Sequence, residues 1–516
     1  MHGDAWRAAF VDWLGALNRR NASLSWWAYT STAKNLLSSP LGNEYLGVLA
    51  LKCLLGEIPS VRVLIVGASP AQAAALDDGA HRVAALGPLL RACWQFARIF
   101  GAWLARVLRP PAGEPPQAVI FTYVDRGFHA GPDAFFGTLA AQLSVACRHV
   151  AFVHSAYRAM VPRVTVAGYH ALFGELRLGD LLWGFGMTLR AWWRATGYDA
   201  PPLGDGIRGT PLLRAALRWD IGQGGYLYNV LVYPTARRLL ARWKPRWLLY
   251  PYENKALEKM LLAAAREAAP DCRLVGYQHT SITRRHATLL FAEGEAAATP
   301  LPDRIVTVGE VTRRFLEQHG RYSEGIFATG CALRQSFGPT IERRPRDGKV
   351  RLLLTLSSSR RELADSVDFC RGALAVDASL ELAVRTHPEF PVSMLPSQVR
   401  GWLAQHARDF TGSPLAANLE WCDAVVYVSS TVALEALGRG RPVINLVLSD
   451  PLDPDPVLDA VALHWSADRP EALAAAAREI AALDASRFEE GRAQALDYVA
   501  RYLKAPTPQA LETFLA

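Results

Sequence analysis

The stretch Cys422–Leu446, CDAVVYVSSTVALEALGRGRPVINL, decides the fold class. Ala424 to Val428 is an unbroken apolar run of the length of a buried strand, and Ser429, Ser430 and Thr431 follow it directly. A helical segment begins at once, and Gly438 to Pro442 turns the chain into a second apolar strand, Val443 to Leu446. Hydroxyls at the junction of a strand and a helix serve as ordinary helix caps. They also suit an anion, because the free N–H groups of a helix start carry partial positive charge, so a nucleotide phosphate is expected here without a metal. Glu435, one helical turn past Thr431, faces the same place and suits ribose hydroxyls.

Two further strand ends in this half carry the same kind of residue. Val350 to Leu356 leads into Ser357, Ser358, Ser359 and Arg360, and Leu380 to Val384 leads into Arg385, Thr386, His387 and Pro388. Parallel topology brings such ends to one edge of a sheet, so the three together point to a phosphate-bearing ligand. In the first half, strands are expected at Arg62–Val66, Val119–Val124, Val150–Val153, Trp247–Tyr252, Leu274–Tyr277 and Ile305–Val308, each followed by polar residues and most by a helical pattern. The segment Ser336–Lys349, rich in Pro, Gly and charge, reads as a linker. The expected division is therefore 1–335, a linker at 336–349, a nucleotide-binding unit at 350–485, and C-terminal helices at 486–516 that pack back on the first half. No GxGxxG with a following acidic residue and no GxxxxGK[ST] is present, which disfavours dinucleotide oxidoreductases and P-loop hydrolases.

At 516 residues the chain is too long for a single core. Its seven cysteines are scattered, with no CxxC and no Cys/His cluster at metal spacing, and read as small core residues of a reducing compartment. The N-terminal segment lacks a clean apolar core with a small-residue cleavage site, so a cytoplasmic location is expected. A net charge of +8 and fifteen Trp draw attention to anionic partners. Leu86–Leu108 is long enough to span a bilayer, but Arg91, Arg98 and Arg106 interrupt it, and an amphipathic helix is the better reading. Leu181–Arg194 has the same Trp/Arg character. Both suit either a domain helix with arginines in water or peripheral contact with the inner membrane. Nucleic acid is not an expected partner, since the basic residues are dispersed and no known binding motif appears.

Two Rossmann-like halves, a short linker, the His387-Pro388 dipeptide and the later Ser429-Ser430 pair resemble GT-B glycosyltransferases, in particular bacterial enzymes that use CMP-activated sialic acid or Kdo. The segments YPYENKALEKMLLAAA and LVGYQHTS are similar to bacterial surface-carbohydrate and capsule biosynthesis proteins. The resemblance spans roughly Leu240 to Ala482. It implies an α/β chain of two Rossmann-like domains facing each other across a cleft, and a metal-independent transferase without a cofactor. The donor would be a nucleotide sugar, with a CMP-sugar favoured and a UDP-sugar, GDP-sugar or CDP-alcohol as alternatives. The acceptor would be a surface glycan or a lipid-linked glycan. A non-catalytic scaffold in a glycan-assembly complex is the reading from another class.

Glycosyl transfer needs a group to take the acceptor proton, and a carboxylate at a strand end is the usual agent. Glu253, after WLLYPY, is the first candidate, Asp125 after Val119–Val124 the second, and His279 a further participant. Glu253 would equally stabilise a helix start without catalysis. Glu258, five residues further on, is expected either on the outer face of the helix that follows or behind Glu253 as a support. The nucleotide site is expected to draw on Ser357, Ser358, Arg360, Arg385, His387, Pro388, Ser429, Ser430, Thr431 and Glu435, with no metal ligand.

Overall fold

A computed structural model of the chain describes residues 2–36, 39–57, 70–76, 86–104, 114–124, 132–153, 169–203, 206–335, 338–344, 347–356, 360–387, 390–448 and 452–516. The strand expected at Arg62–Val66 lies outside them, as do Asp125, Ser357, Ser358 and Pro388.

Among the described residues thirteen strands form two sheets, and every pairing between them is parallel. The first contains β1 (Ala118–Val124), β2 (Cys147–Val153), β3 (Tyr169–Ala171), β4 (Trp247–Pro251), β5 (Arg273–Gln278), β6 (Arg304–Thr307) and β7 (Phe327–Thr329), in the order β3-β2-β1-β4-β5-β6-β7. The second contains β8 (Val350–Thr355), β9 (Leu380–Arg385), β10 (Ala407–Asp409), β11 (Ala424–Tyr427), β12 (Val443–Leu446) and β13 (His464–Ala467), in the order β10-β9-β8-β11-β12-β13. Both orders contain the 3-2-1-4-5-6 arrangement of a doubly wound Rossmann sheet. The inner strands are largely apolar because helices cover them: β4 and β11 are buried at every residue.

The order reverses between β1 and β4 in the first sheet and between β8 and β11 in the second. Crossovers leave these switch points in opposite directions and open a crevice at the carboxyl ends of the strands, where ligands of such sheets sit. Glu253 follows β4 and Ser429 follows β11, so both lie at a switch point.

The C-terminal helix Ala485–Tyr502 and the residues after it contact both halves. Gly438, at the end of the helix Val432–Leu437, has Val499 beside it. On the other side, Ile282 N–H donates to Tyr502 Oη (2.9 Å), Lys504 N–H to Val308 O (2.9 Å), and Trp247 Nε1 to Leu515 O (2.9 Å). Gly309 permits this approach, because a Cβ there would fall 2.1 Å from the Tyr502 carbonyl oxygen. One apolar cluster accordingly runs from Ile120, Leu249 and Val306 through Val425 and Leu437 to Phe488 and Tyr502.

Candidate active site

β4 ends in Pro251, and the chain passes through Tyr252, Glu253 and Asn254 before the helix Ala256–Ala268. Asn254 adopts a left-handed backbone (φ 56°), a conformation Asn tolerates better than most residues, and its amide donates to Thr288 O at 2.8 Å. That turn directs Glu253 towards the loop after β5. His279 Nε2 lies 3.0 Å from Glu253 Oε1, and Lys255 Nζ ion-pairs with Oε2. Burial alone would raise the Glu253 pKa, but Lys255 and the hydrogen bond from His279 outweigh it and hold the carboxyl well below the usual range. His279 is buried, and burial lowers its pKa despite Glu253. The imidazole is then neutral, with Nε2–H donating to the carboxylate. Nδ1 has no hydrogen-bond partner among the described residues.

Of the two positions expected for Glu258, the structure has the one behind Glu253 and not the outer face. The face of the Ala256–Ala268 helix that carries it is packed inward, and its side chain is buried. It accepts from the Glu253 N–H (3.1 Å) and from Tyr123 Oη (3.1 Å). Burial, reinforced by the charge of Glu253, pushes its pKa up to about 8. Two carboxyls five residues apart are thus driven in opposite directions, one ionised and one holding its proton at neutral pH.

A pocket of about 320 Å³ opens beside Glu253 and Lys255 and is lined also by Asn35, Tyr228, Thr280 and His286. His286 Nδ1 accepts from the Thr283 N–H at 2.9 Å, which leaves the proton on Nε2, and burial lowers the pKa of the ring. The ring is therefore neutral. The sequence offered no local sign of His286, because its partners are fixed only by the fold of the loop.

The same loop, residues 279–289, reaches the second sheet. Arg285 Nη1 donates to Glu362 Oε1 at 2.6 Å with both side chains buried, and Ser429 Oγ donates to Glu362 Oε2 at 3.0 Å. Arg284 pairs with Asp453 at 2.6 Å. Ser429 thus gives its hydroxyl proton to a carboxylate of the helix Arg360–Val376, a partner the sequence did not suggest. Ser430 Oγ accepts from the Val432 N–H at 3.3 Å, while the backbone N–H groups of Ser430 and Thr431 have no acceptor among the described residues. Arg360 opens the Arg360–Val376 helix.

Arg385, at the end of β9, donates to Ser413 O (2.6 Å) and Asn418 Oδ1 (2.8 Å), so it braces the loop after β10. His387 packs its ring 6.4 Å from Phe390. Glu435 is partly buried; burial raises its pKa, opposed by the charges of Arg439, Arg385 and Arg334.

Arg334, which the sequence reading passed over, stands between the two sets. Its guanidinium lies 5.6 Å from the Phe135 ring, Phe135 meets His279 edge-on at 4.8 Å, and its charge acts on both His279 and Glu435. It has no carboxylate partner among the described residues. Glu253, His279 and Arg334 therefore form one group, Glu435 adjoins it through Arg334 and Arg385 through Glu435, and Ser429 belongs to the neighbouring Arg285–Glu362 junction. No group of three or more His, Cys, Asp or Glu among the described residues is arranged to hold a metal ion.

No protein-family model matches the chain, and no curated protein sequence matches it. Solved structures are similar in architecture at low identity. The glycotransferase of kitacinnamycin is 14% identical, with 78% of this chain and 99% of that one covered and a TM-score of 0.45. The calicheamicin glycosyltransferase CalG4 is also 14% identical, with 77% and 98% covered and a TM-score of 0.45. The wall teichoic acid polymerase TagF is 9% identical, with 84% and 96% covered and a TM-score of 0.38.

Proposed function

We propose that the chain is a GT-B glycosyltransferase that moves a sugar from a nucleotide donor to an acceptor hydroxyl. What supports this most is the placement of Arg334, a cation with no carboxylate partner among the described residues, whose charge acts on His279 of the Glu253–His279 pair at one Rossmann switch point and on Glu435 beside the other. Transfer builds negative charge on the departing phosphate, and a guanidinium already in place stabilises it without reorganisation. The nucleotide lies against the second sheet, with its phosphate at Arg334 and the N–H groups of Ser430 and Thr431. Ser429 anchors the start of that turn through Glu362, His387 and Arg385 at the end of β9 are further nucleotide-binding residues of this reading, and Glu435 meets the ribose.

The acceptor enters the pocket beside Glu253. Its hydroxyl oxygen attacks the anomeric carbon, the bond from that carbon to the phosphate oxygen breaks, and the hydroxyl proton passes to Glu253. His279 and Lys255 orient the carboxylate and keep it ionised, so it is ready to accept although it is a weak base. His286 presents a neutral N–H to the same pocket.

A CMP-activated 3-deoxy-2-ulosonic acid is the favoured donor, on the His387-Pro388 and Ser429-Ser430 motifs, and a bacterial surface glycan the favoured target. An acceptor borne on a lipid would place the enzyme peripherally at the inner face of the cytoplasmic membrane. The domain division follows the same reading, with the acceptor on residues 1–335 and the donor on 350–485. Incubating the chain with CMP-, UDP- and GDP-sugars and with CDP-glycerol, and following nucleotide release, tests it. Fastest release from a CMP-sugar is expected. Faster release from another donor would remove the CMP assignment, and no release from any donor with lipid-linked acceptors present would favour the scaffold reading.

A further inference from the structure

Seven of the ten exposed large hydrophobic side chains among the described residues lie on three neighbouring helices, Leu86–Leu104, Leu178–Ala195 and Gly209–Gln223. The first two run antiparallel: Trp103 Nε1 donates to Leu176 O at 3.2 Å near one end, and the Phe96 and Phe185 rings approach to 4.4 Å further along. The third packs beside the first. Each of the first two buries one stripe, with Ala92 and Ile99 on one and Leu181, Thr188 and Trp192 on the other. The opposite stripes face outward, with Leu90 at 69% exposure, Trp94 at 58%, Leu182 at 59% and Trp193 at 75%, and Trp219 of the third helix at 46%.

The charge on these helices has one sign. Leu86–Leu104 contains no acidic residue. The only acids on the other two, Asp180 and Asp220, are buried, the first paired with Arg238 and the second accepting from Thr30. Arg91, Arg190 and Arg194 are exposed, and Arg98 lies 4.6 Å over the Trp94 ring. A water-facing helix surface normally mixes both signs and few large apolar groups. Tryptophan alternating with arginine is the composition of a surface that rests in a lipid headgroup layer, with rings at the acyl boundary and guanidiniums on phosphates. No helix among the described residues is long and apolar enough to cross a membrane.

We propose that the outward face of these three helices rests on an anionic lipid bilayer. This deepens the peripheral location in the functional reading by naming the surface, and it stands apart from the identity of the donor. The arginines supply attraction to anionic lipid, and the Trp and Leu side chains supply insertion.

The test is co-sedimentation of the full chain with vesicles of phosphatidylcholine, with and without phosphatidylglycerol. Wild type should bind the phosphatidylglycerol vesicles at least tenfold better and be released by high salt. Trp94→Ser/Trp193→Ser and, separately, Arg91→Glu/Arg190→Glu/Arg194→Glu should each lower binding at least tenfold, with unchanged circular dichroism and nucleotide affinity. If both variants bind like wild type, or wild type ignores phosphatidylglycerol, the proposal is overturned. It is also overturned if the wild type is a dimer that the Trp variant dissociates while neither binds vesicles, because the face would then belong to a second copy. Failure of nucleotide binding in every variant and in wild type would remove the transferase reading and leave the vesicle result intact.

Discussion

Glu253 and Glu258 show how position sets the chemistry of one residue type. Glu253 is ionised because Lys255 and His279 compensate its burial, whereas at Glu258 burial and the repulsion of Glu253 outweigh the weaker pull of Lys255 and the hydrogen bonds. Glu253→Gln is expected to lower kcat by about 10²- to 10⁴-fold, the range for loss of a general base, while leaving nucleotide affinity and thermal stability near wild type. Steady-state kinetics with any turned-over donor checks it; near-normal kcat would move the base elsewhere. Glu258 predicts a pH effect on stability. Its carboxyl keeps a proton in the folded chain up to about pH 8, whereas the unfolded chain loses it near 4.5, the ordinary value of a glutamate. Between those values the folded state binds more protons, so Glu258 withdraws stability as pH rises through that window. Glu258→Gln should therefore gain stability relative to wild type from pH 5 to pH 8, and parallel urea-denaturation profiles would refute this. Glu253 and His279 were legible because each follows an apolar strand run. Arg334 and Glu362 were not, because their significance lies in contacts with residues distant in sequence, and His286 was not, because the pocket it lines is formed with distant residues such as Asn35 and Tyr228.

The loop 279–289 is the element that joins the two sheets, since it carries His279, Arg285 and His286 and receives the Tyr502 hydroxyl. Arg285→Ala would leave Glu362 with a buried charge beside Ser429, at a cost of about 3–5 kcal/mol. Ser429→Ala removes one hydrogen bond to the same carboxylate, about 1.5–3 kcal/mol. Their combination should cost less than the sum, because both act on Glu362. Chemical denaturation of the two single variants and the double variant measures the coupling, and strict additivity would show that the three side chains do not act together. The inner strands were readable from the sequence: β12 spans Val443–Leu446 as expected, and β1, β4, β5 and β6 overlap the apolar runs expected for them. β3, β7, β10 and β13 were not: they are the edge strands of the two sheets, and most of their residues, such as Phe327–Thr329, are only partly buried or exposed, so they lack the apolar run of an inner strand. They pair only because a neighbouring strand offers its edge.

At the scale of the molecule, alternation of strands and helices established the α/β class, but strand order is set by long-range pairing and left no local trace. That order is what turns a list of polar strand ends into two facing switch points, with Arg334 between them. A nucleotide phosphate held by Arg334 is the central claim, and calorimetric titration of CMP and of cytidine into wild type and Arg334→Ala tests it directly. CMP should bind wild type more tightly than cytidine does. Arg334→Ala should weaken CMP by roughly 1.5–3 kcal/mol, the worth of a charge-assisted hydrogen bond, and leave cytidine unchanged. An equal loss for both ligands, or CMP affinity untouched by the substitution, would contradict the account.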